Sequence, residues 1–418
     1  MASMLRTLPI GSHKIEIRFD IDQLCWPFVV VDQLGKERMN NRILIIKPTL
    51  LASLVAAALS GCGESSSSDA GAQFNGGTSD EQVEFSQFEQ RDLVRDLVDN
   101  ILMPAYEQFE LDAASLKSSI DSYCSALADA GDAPAALALA QGEWMNAMDT
   151  WQQVELMLVG PLADDNYSLR NQIYSWPVTS GCAVDQDVVF FEQGEINTAP
   201  YAIADRPSTR RGLDALEYLL FNTNLEHSCA NATSAPSGRN ERSESERRTA
   251  RCQFAAEVAD DLVVSANTVT TAWVGPNGYA NALKGAGGEG SQFSSAHQAL
   301  NLISDALFYL HSTTKDAKLA APLGILANEC GQEICPESVE SILSGYSIQN
   351  IENNLTAFEQ LLSGEGAELV GLGFDDFLGA VGAASVAEQM KASIASSMQQ
   401  AAEIELPLER ALTEETAK

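Results

Sequence analysis

The stretch Arg210–Phe221, RRGLDALEYLLF, carries the residues best placed for chemistry. Read as a helix, Leu213, Leu216 and Leu220 form an apolar stripe at three- and four-residue spacing. Asp214 and Glu217 are three apart and share a face. Two carboxylates so placed repel unless a cation, an arginine or a shared proton lies between them. Gly212 permits a close backbone approach or an unusual dihedral at the helix start. The pair therefore reads either as an acidic binding site or as helix-start acids favoured by the dipole and partnered by Arg210 or Arg211.

Other chemistry is thinly represented. No H-E-x-x-H stretch and no G-x-S-x-G elbow occurs. Beyond Cys62 the histidines are His227, His297 and His311. His297 and His311 fall on one helical segment, too far apart to hold one metal. Trp144 and Trp151 share a face with Met148, which reads as core. A ligand groove lined by Trp144, Trp151 and Trp176 is the alternative. GAGGEGS lacks the lysine and spacing of a phosphate loop. RNERSESERR mixes both signs of charge and reads as a solvated segment.

The chain has 418 residues and a formal charge of −33. From Met39 it shows a short basic start, an apolar run from Leu50 to Leu59, and then Leu-Ser-Gly-Cys ending at Cys62. That is the layout of a secretory signal. The small residues before Cys62 resemble a bacterial lipobox, in which that cysteine carries lipid; an uncleaved anchor helix is the alternative. We expect residues 1–38 to be a mis-called upstream segment, 39–61 the signal and 62–84 a Ser/Gly-rich tether. Loss of residues 1–61 removes seven basic and five acidic side chains and moves the charge to −35. Such acidity repels nucleic acid and anionic headgroups. The membrane partner is then the lipid on Cys62, and no protein partner is indicated.

Six cysteines follow Cys62, an even number that suggests disulfides in an exported protein. The expected pairs are Cys330 with Cys335, Cys229 with Cys252, and Cys124 with Cys182. A zinc site is the alternative, although the spacings form no paired C-x-x-C knuckles.

Helical periodicity dominates from residue 85 onward, and alternating strands are scarce. Pro104 should bend or interrupt the first long helix. The polar stretch 231–248 is the best internal boundary. We expect an all-α fold of two helical-bundle halves, at 85–230 and 249–405, with a C-terminal tail at 406–418.

Several stretches together resemble the imelysin family of exported bacterial proteins. They are GLDALEYLLF, WMNAMDTWQQVELMLVGPL, IYSWPV, KLAAPLG and ESILSGYSIQNIENNLTAFEQLL, in that family's order. The family pattern G-x-H-x-x-E reads here Gly212-Leu213-Asp214-Ala215-Leu216-Glu217, with aspartate in place of histidine. The resemblance implies an all-α fold of two bundle-like halves, a link to iron, and a metallopeptidase classification. Asp214 puts inherited peptidase chemistry in doubt, because a carboxylate-only pair suits harder cations than an imidazole–carboxylate pair does. The expected metal ligands are Asp214, Glu217 and Glu155, holding iron or calcium. On the family layout, Tyr218 and the Asp164–Asp165 loop could complete the set. The expectation is thus an imelysin-like lipoprotein on the periplasmic side of the outer membrane, binding a cation or cation-bearing ligand between its halves. The alternatives are a metal-dependent peptidase and a non-catalytic surface interaction protein.

Overall fold

The computed structural model describes residues 6–10, 13–17, 88–129, 131–230, 235–366 and 369–416. The expected signal, Cys62 and the tether lie outside the described residues. Of the upstream segment only an antiparallel hairpin is described, β1 (Arg6–Ile10) with β2 (His13–Ile17), Arg6 opposite Ile17.

The rest is mainly helical, as the periodicity predicts, apart from a short antiparallel pair, β3 (Glu195–Ile196) with β4 (Ala199–Pro200). α1 (Gln90–Leu97) runs through a wide π-helical stretch, Val98–Leu102, into α2 (Met103–Ala128). Pro104 sits in the first turn of α2. It supplies no N–H, and its ring crowds the carbonyl four residues back, so the ladder widens just before it instead of breaking. α3 (Ala133–Val154) starts on Asp132, whose side chain accepts from the Ala135 N–H at 3.2 Å. The short link makes α2 and α3 neighbours.

The chain continues through α4 (Asp164–Ile173), α5 (Gly181–Gln193) and α6 (Gly212–Phe221). α7 (Glu244–Trp273) begins with a capping box between Ser243 and Glu246. Its inward stripe includes Phe254, Val258, Leu262, Val269 and Trp273, all buried. α7 packs along α2, and α6 lies against both α3 and α7.

A second group comprises α8 (Tyr279–Lys284), α9 (Ala296–Ala306), a π-helical stretch Leu310–Ala320, α10 (Ser347–Ser363), α11 (Phe374–Ala380) and α12 (Ala384–Ala402). α10 packs on α3, and α1 packs on α9. The two groups therefore pack against each other, and one apolar core runs from Leu93 to Ile394 across both. Residues 231–248 interrupt the helices but do not divide that core. The tail also departs from expectation. It forms α13 (Leu408–Thr416), whose Leu408 and Leu412 join Leu323, Val339, Ile348 and Ala401 in a small separate cluster. Among the described residues no helix is long and apolar enough to cross a membrane.

The disulfides are Cys124–Cys252, Cys182–Cys229 and Cys330–Cys335. Only the last matches the expected pairing. Side-by-side packing of α2 and α7 brings Cys124 to Cys252. Cys182, in the first turn of α5, meets Cys229 in the loop after α6. Sequence proximity was a poor guide because tertiary packing, of helix on helix for the first pair and of loop on helix for the second, sets these two pairs.

Candidate functional site

The site is built around the first turns of α6. Gly212 has φ +69°, a left-handed conformation that disfavours any side chain. It also lies directly against the carbonyls of Gln172 and Ile173 at the end of α4. That contact carries the chain leaving α4 across the start of α6, through the cis Trp176–Pro177 bond. The N–H groups of Ser175 and Trp176 thereby donate to Asp214 Oδ2, at 2.5 and 3.1 Å.

One turn along, Glu217 meets a different segment. Its Oε1 accepts from the backbone N–H groups of Leu343 and Ser344 at 3.0 and 2.9 Å, and from the Ser344 hydroxyl at 2.8 Å. Those donors come from the turn before α10, where Ser341 and Gly345 both have positive φ. Each carboxylate thus has one oxygen fixed by donors. The other, Asp214 Oδ1 or Glu217 Oε2, accepts none of the described hydrogen bonds. Both residues are only 9 % exposed.

The arginines beside them do not neutralise the pair. Arg211 forks onto Asp261 at 2.7 and 2.6 Å, and Arg210 reaches Asp187 at 3.0 Å. The helix-start reading, which paired Asp214 and Glu217 with these arginines, is corrected. Among the described residues neither carboxylate has an ion-pair partner.

Behind the pair lies a buried polar network. Glu155 and Glu340 are fully buried. Arg170 donates to Glu155 Oε1 through Nε at 3.0 Å and Nη2 at 2.5 Å. The Tyr309 hydroxyl donates to Glu155 Oε2 at 2.5 Å. Lys318, with no exposure, points its ammonium at Glu340 Oε1 (3.1 Å), Glu155 Oε2 (3.7 Å) and the Gln152 side-chain carbonyl. The Tyr174 hydroxyl also donates to Glu340 Oε1 at 2.7 Å. Burial, with Glu340 beside Tyr174 and Glu155 beside Tyr309, holds both phenols well above their ordinary range, so they remain donors. Two cations therefore serve four carboxylates: Arg170 and Lys318 pair with Glu155 and Glu340, the Arg170 charge also reaches Asp214, and neither Asp214 nor Glu217 has an ion-pair partner among the described residues.

That imbalance shows in their titration. Burial pushes Asp214 up to about 7, opposed by the Ser175 N–H and reinforced by Glu217. Burial likewise pushes Glu217 up to about 7, opposed by Ser344 and Leu343 and reinforced by Glu340. Both are raised above the unfolded range, so between about pH 4 and 7 the folded chain holds more protons than the unfolded one. The stability these two groups contribute is full below about pH 4 and is lost progressively as pH rises to about 7. Urea unfolding of wild type and of Asp214→Asn/Glu217→Gln checks this. A wild-type decline across that window should flatten in the double variant, and an unchanged decline would exclude the pair as its source.

The remaining expected residues separate. Glu155 is committed to Arg170 and Tyr309, and Asp214, Glu217 and Glu155 do not offer ligand atoms within 4.8 Å of one another. Tyr218 points elsewhere, its hydroxyl donating to Asp185 at 2.6 Å. Trp144 and Trp151 are fully buried core residues; Trp144 Nε1 donates to the Leu213 carbonyl at 3.0 Å, and Trp151 packs on Phe109. Their ligand-groove role is thus corrected. Only Trp176 touches the network, through its N–H on Asp214 and its ring 5.9 Å from the Lys318 ammonium. Asp165 lines an open polar cleft of about 520 Å³ with Asn166, Asp205, Arg206 and Arg211, but neither Asp214 nor Glu217 borders it. Glu337 approaches Cys330 and Cys335 closely enough for a metal trio, yet those two sulfurs are bonded to each other.

Sequence reading missed Lys318, Glu340, Arg170 and Ser344. Three of the four had a signal: Lys318 opens KLAAPLG, and Glu340 and Ser344 lie in ESILSG, both within stretches that resemble the family, whereas Arg170 precedes IYSWPV and lies outside them.

The profile of the Imelysin (peptidase M75) family matches residues 102–418. The chain belongs to the imelysin family. Solved structures agree in fold. One is a putative iron-regulated protein A precursor from Parabacteroides distasonis, at 18 % identity and TM-score 0.59, covering 78 % of this chain and 88 % of that one. Another is an imelysin-like protein from Psychrobacter arcticum, at 15 % identity and TM-score 0.57, covering 79 % and 91 %. No curated protein matches the chain. Within this imelysin chain Gly212, Asp214 and Glu217 lie on α6, and the segments after α4 and before α10 supply the donors to the two acids.

Proposed function

We propose that this imelysin-family chain is an exported lipoprotein that binds a hard cation, or a ligand carrying one, at Asp214 and Glu217. The observation that carries the reading is a pair of buried carboxylates without an ion-pair partner among the described residues, each with one oxygen fixed and the other without a described partner. An all-oxygen donor pair suits calcium or ferric iron. Water or ligand oxygens would have to complete the shell, because Glu155 is spoken for. The ion would supply the positive charge the pair lacks. The name of one structural relative, an iron-regulated protein, supports iron as the first ion to test. The layout from Met39 to Cys62 supports a lipid anchor on the periplasmic side of an outer membrane.

Metal analysis of protein purified without chelator, followed by titration with ferric iron and calcium at pH 8 and pH 5, tests this. Wild type should bind at pH 8 and more weakly at pH 5, where both acids hold protons. Glu217→Gln, folded by circular dichroism, should bind at least roughly tenfold more weakly, a loss of about 1.4 kcal/mol. Equal metal content in wild type and variant would remove the site from Glu217. Cleavage of unstructured casein by the metal-loaded protein would instead favour the peptidase reading.

A further inference from the structure

On the far side of α6 lies a second buried charge cluster, with the opposite sign of imbalance. Asp185, in the first turns of α5, is fully buried. Its Oδ2 accepts from the Tyr218 hydroxyl at 2.6 Å, the Ser228 N–H at 2.8 Å and the Ser228 hydroxyl at 3.2 Å. Its Oδ1 lies 3.3 Å from Arg239 Nη2 and 3.5 Å from Arg251 Nη2, but accepts a hydrogen bond from neither.

Arg239 is the unusual member. Its side chain has no exposure, and among the described residues none of its three guanidinium nitrogens has an acceptor. Arg251 donates to the Asn222 carbonyl at 3.0 Å and to the Tyr218 hydroxyl at 3.4 Å, leaving Nε without a partner. Arg247, one turn earlier on α7, donates to the Asn240 carbonyl at 3.0 Å and also leaves Nε unpaired.

The charges do not balance. Two buried guanidinia share one carboxylate. Arginine does not deprotonate in proteins, so the excess cannot be shed. Burial holds the Tyr218 phenol at about 12, with Asp185 adding to the effect, so it stays neutral. Glu192 is occupied by Arg242 at 2.6 Å. A desolvated guanidinium that shares its one carboxylate and lacks acceptors for its N–H groups is costly in a protein interior.

We propose that Arg239 and Arg251 bind a small monovalent inorganic anion of halide size, which accepts their unpaired N–H groups and cancels the excess charge. The Arg239 side chain has no exposure, so the smallest monovalent anions, chloride and bromide, are the probes. Selectivity follows from the net charge of −33, which repels anions from the surface. A specific response to halide therefore reports an interior site.

Crystals of the full chain soaked in bromide should show an anomalous peak in hydrogen-bonding contact with Arg239. In solution, the melting midpoint should rise with sodium chloride relative to sodium gluconate at equal ionic strength. Arg239→Met should lose that difference. Asp185→Asn, which enlarges the positive excess, should steepen it. Absence of bromide at the guanidinia, or a wild-type chloride response in Arg239→Met, overturns the proposal. If Arg239→Met does not fold, the bromide map and the Asp185→Asn response decide.

Discussion

Gly212→Ala is expected to destabilise the protein by about 2–6 kcal/mol, the sum of backbone strain and overpacking, each worth roughly 1–3 kcal/mol. Two independent penalties meet at this position. The left-handed φ of +69° disfavours any Cβ. That Cβ would also land on the Ile173 carbonyl oxygen, with the Gln172 carbonyl oxygen only 2.6 Å away. Both obstacles are backbone atoms, so no rotamer change relieves them. Relief would require the end of α4 to move away from α6. The same movement would withdraw the Ser175 and Trp176 N–H groups from Asp214. Urea unfolding should therefore show the stability loss, and cation binding should weaken even in the fraction that folds. A loss below roughly 1 kcal/mol, with binding intact, would show that the two segments are not held as tightly as the contact implies.

Much of this arrangement was legible in the sequence. The 3.6-residue period places the helices, and Gly212 ahead of two acids three apart marks the turn and the shared face. What periodicity does not encode is which distant segments meet. Glu217 takes its donors from Ser344, 127 positions away. Cys124 finds Cys252 across 128 positions because two long helices lie side by side. Nor does local spacing tell which arginine answers which carboxylate. Arg210 and Arg211 stand next to the motif, yet Asp187 and Asp261 take them because those carboxylates face the guanidinia from α5 and α7. Lys318 was hardest to read, since a lysine in a polar run ordinarily marks the wet side of a helix. Here the π-helical stretch turns it inward, together with buried Thr314.

Lys318→Met should cost about 3–5 kcal/mol, the range seen when one partner of a buried ion pair is removed. The ammonium has no exposure and answers Glu340 and Glu155 together. Methionine fills similar volume but leaves both carboxylates short of charge, with Arg170 alone to answer them. The companion change Glu340→Gln removes one of those charges while keeping a carbonyl for Tyr174. The double variant should therefore lose less stability than Lys318→Met alone, and a double-mutant cycle by urea unfolding measures the coupling. A second readout follows from the titration of Glu217. Glu340 already raises it. Removing Lys318 exposes Glu217 to more of that field and should move its midpoint further up, whereas Glu340→Gln should move it down. Shifts in the same direction for both variants, or a Lys318→Met cost below roughly 1 kcal/mol, would detach the ion pair from the acidic site. Opposite shifts would make Lys318 the residue that sets how readily Glu217 ionises, and so the pH above which the pair holds a cation.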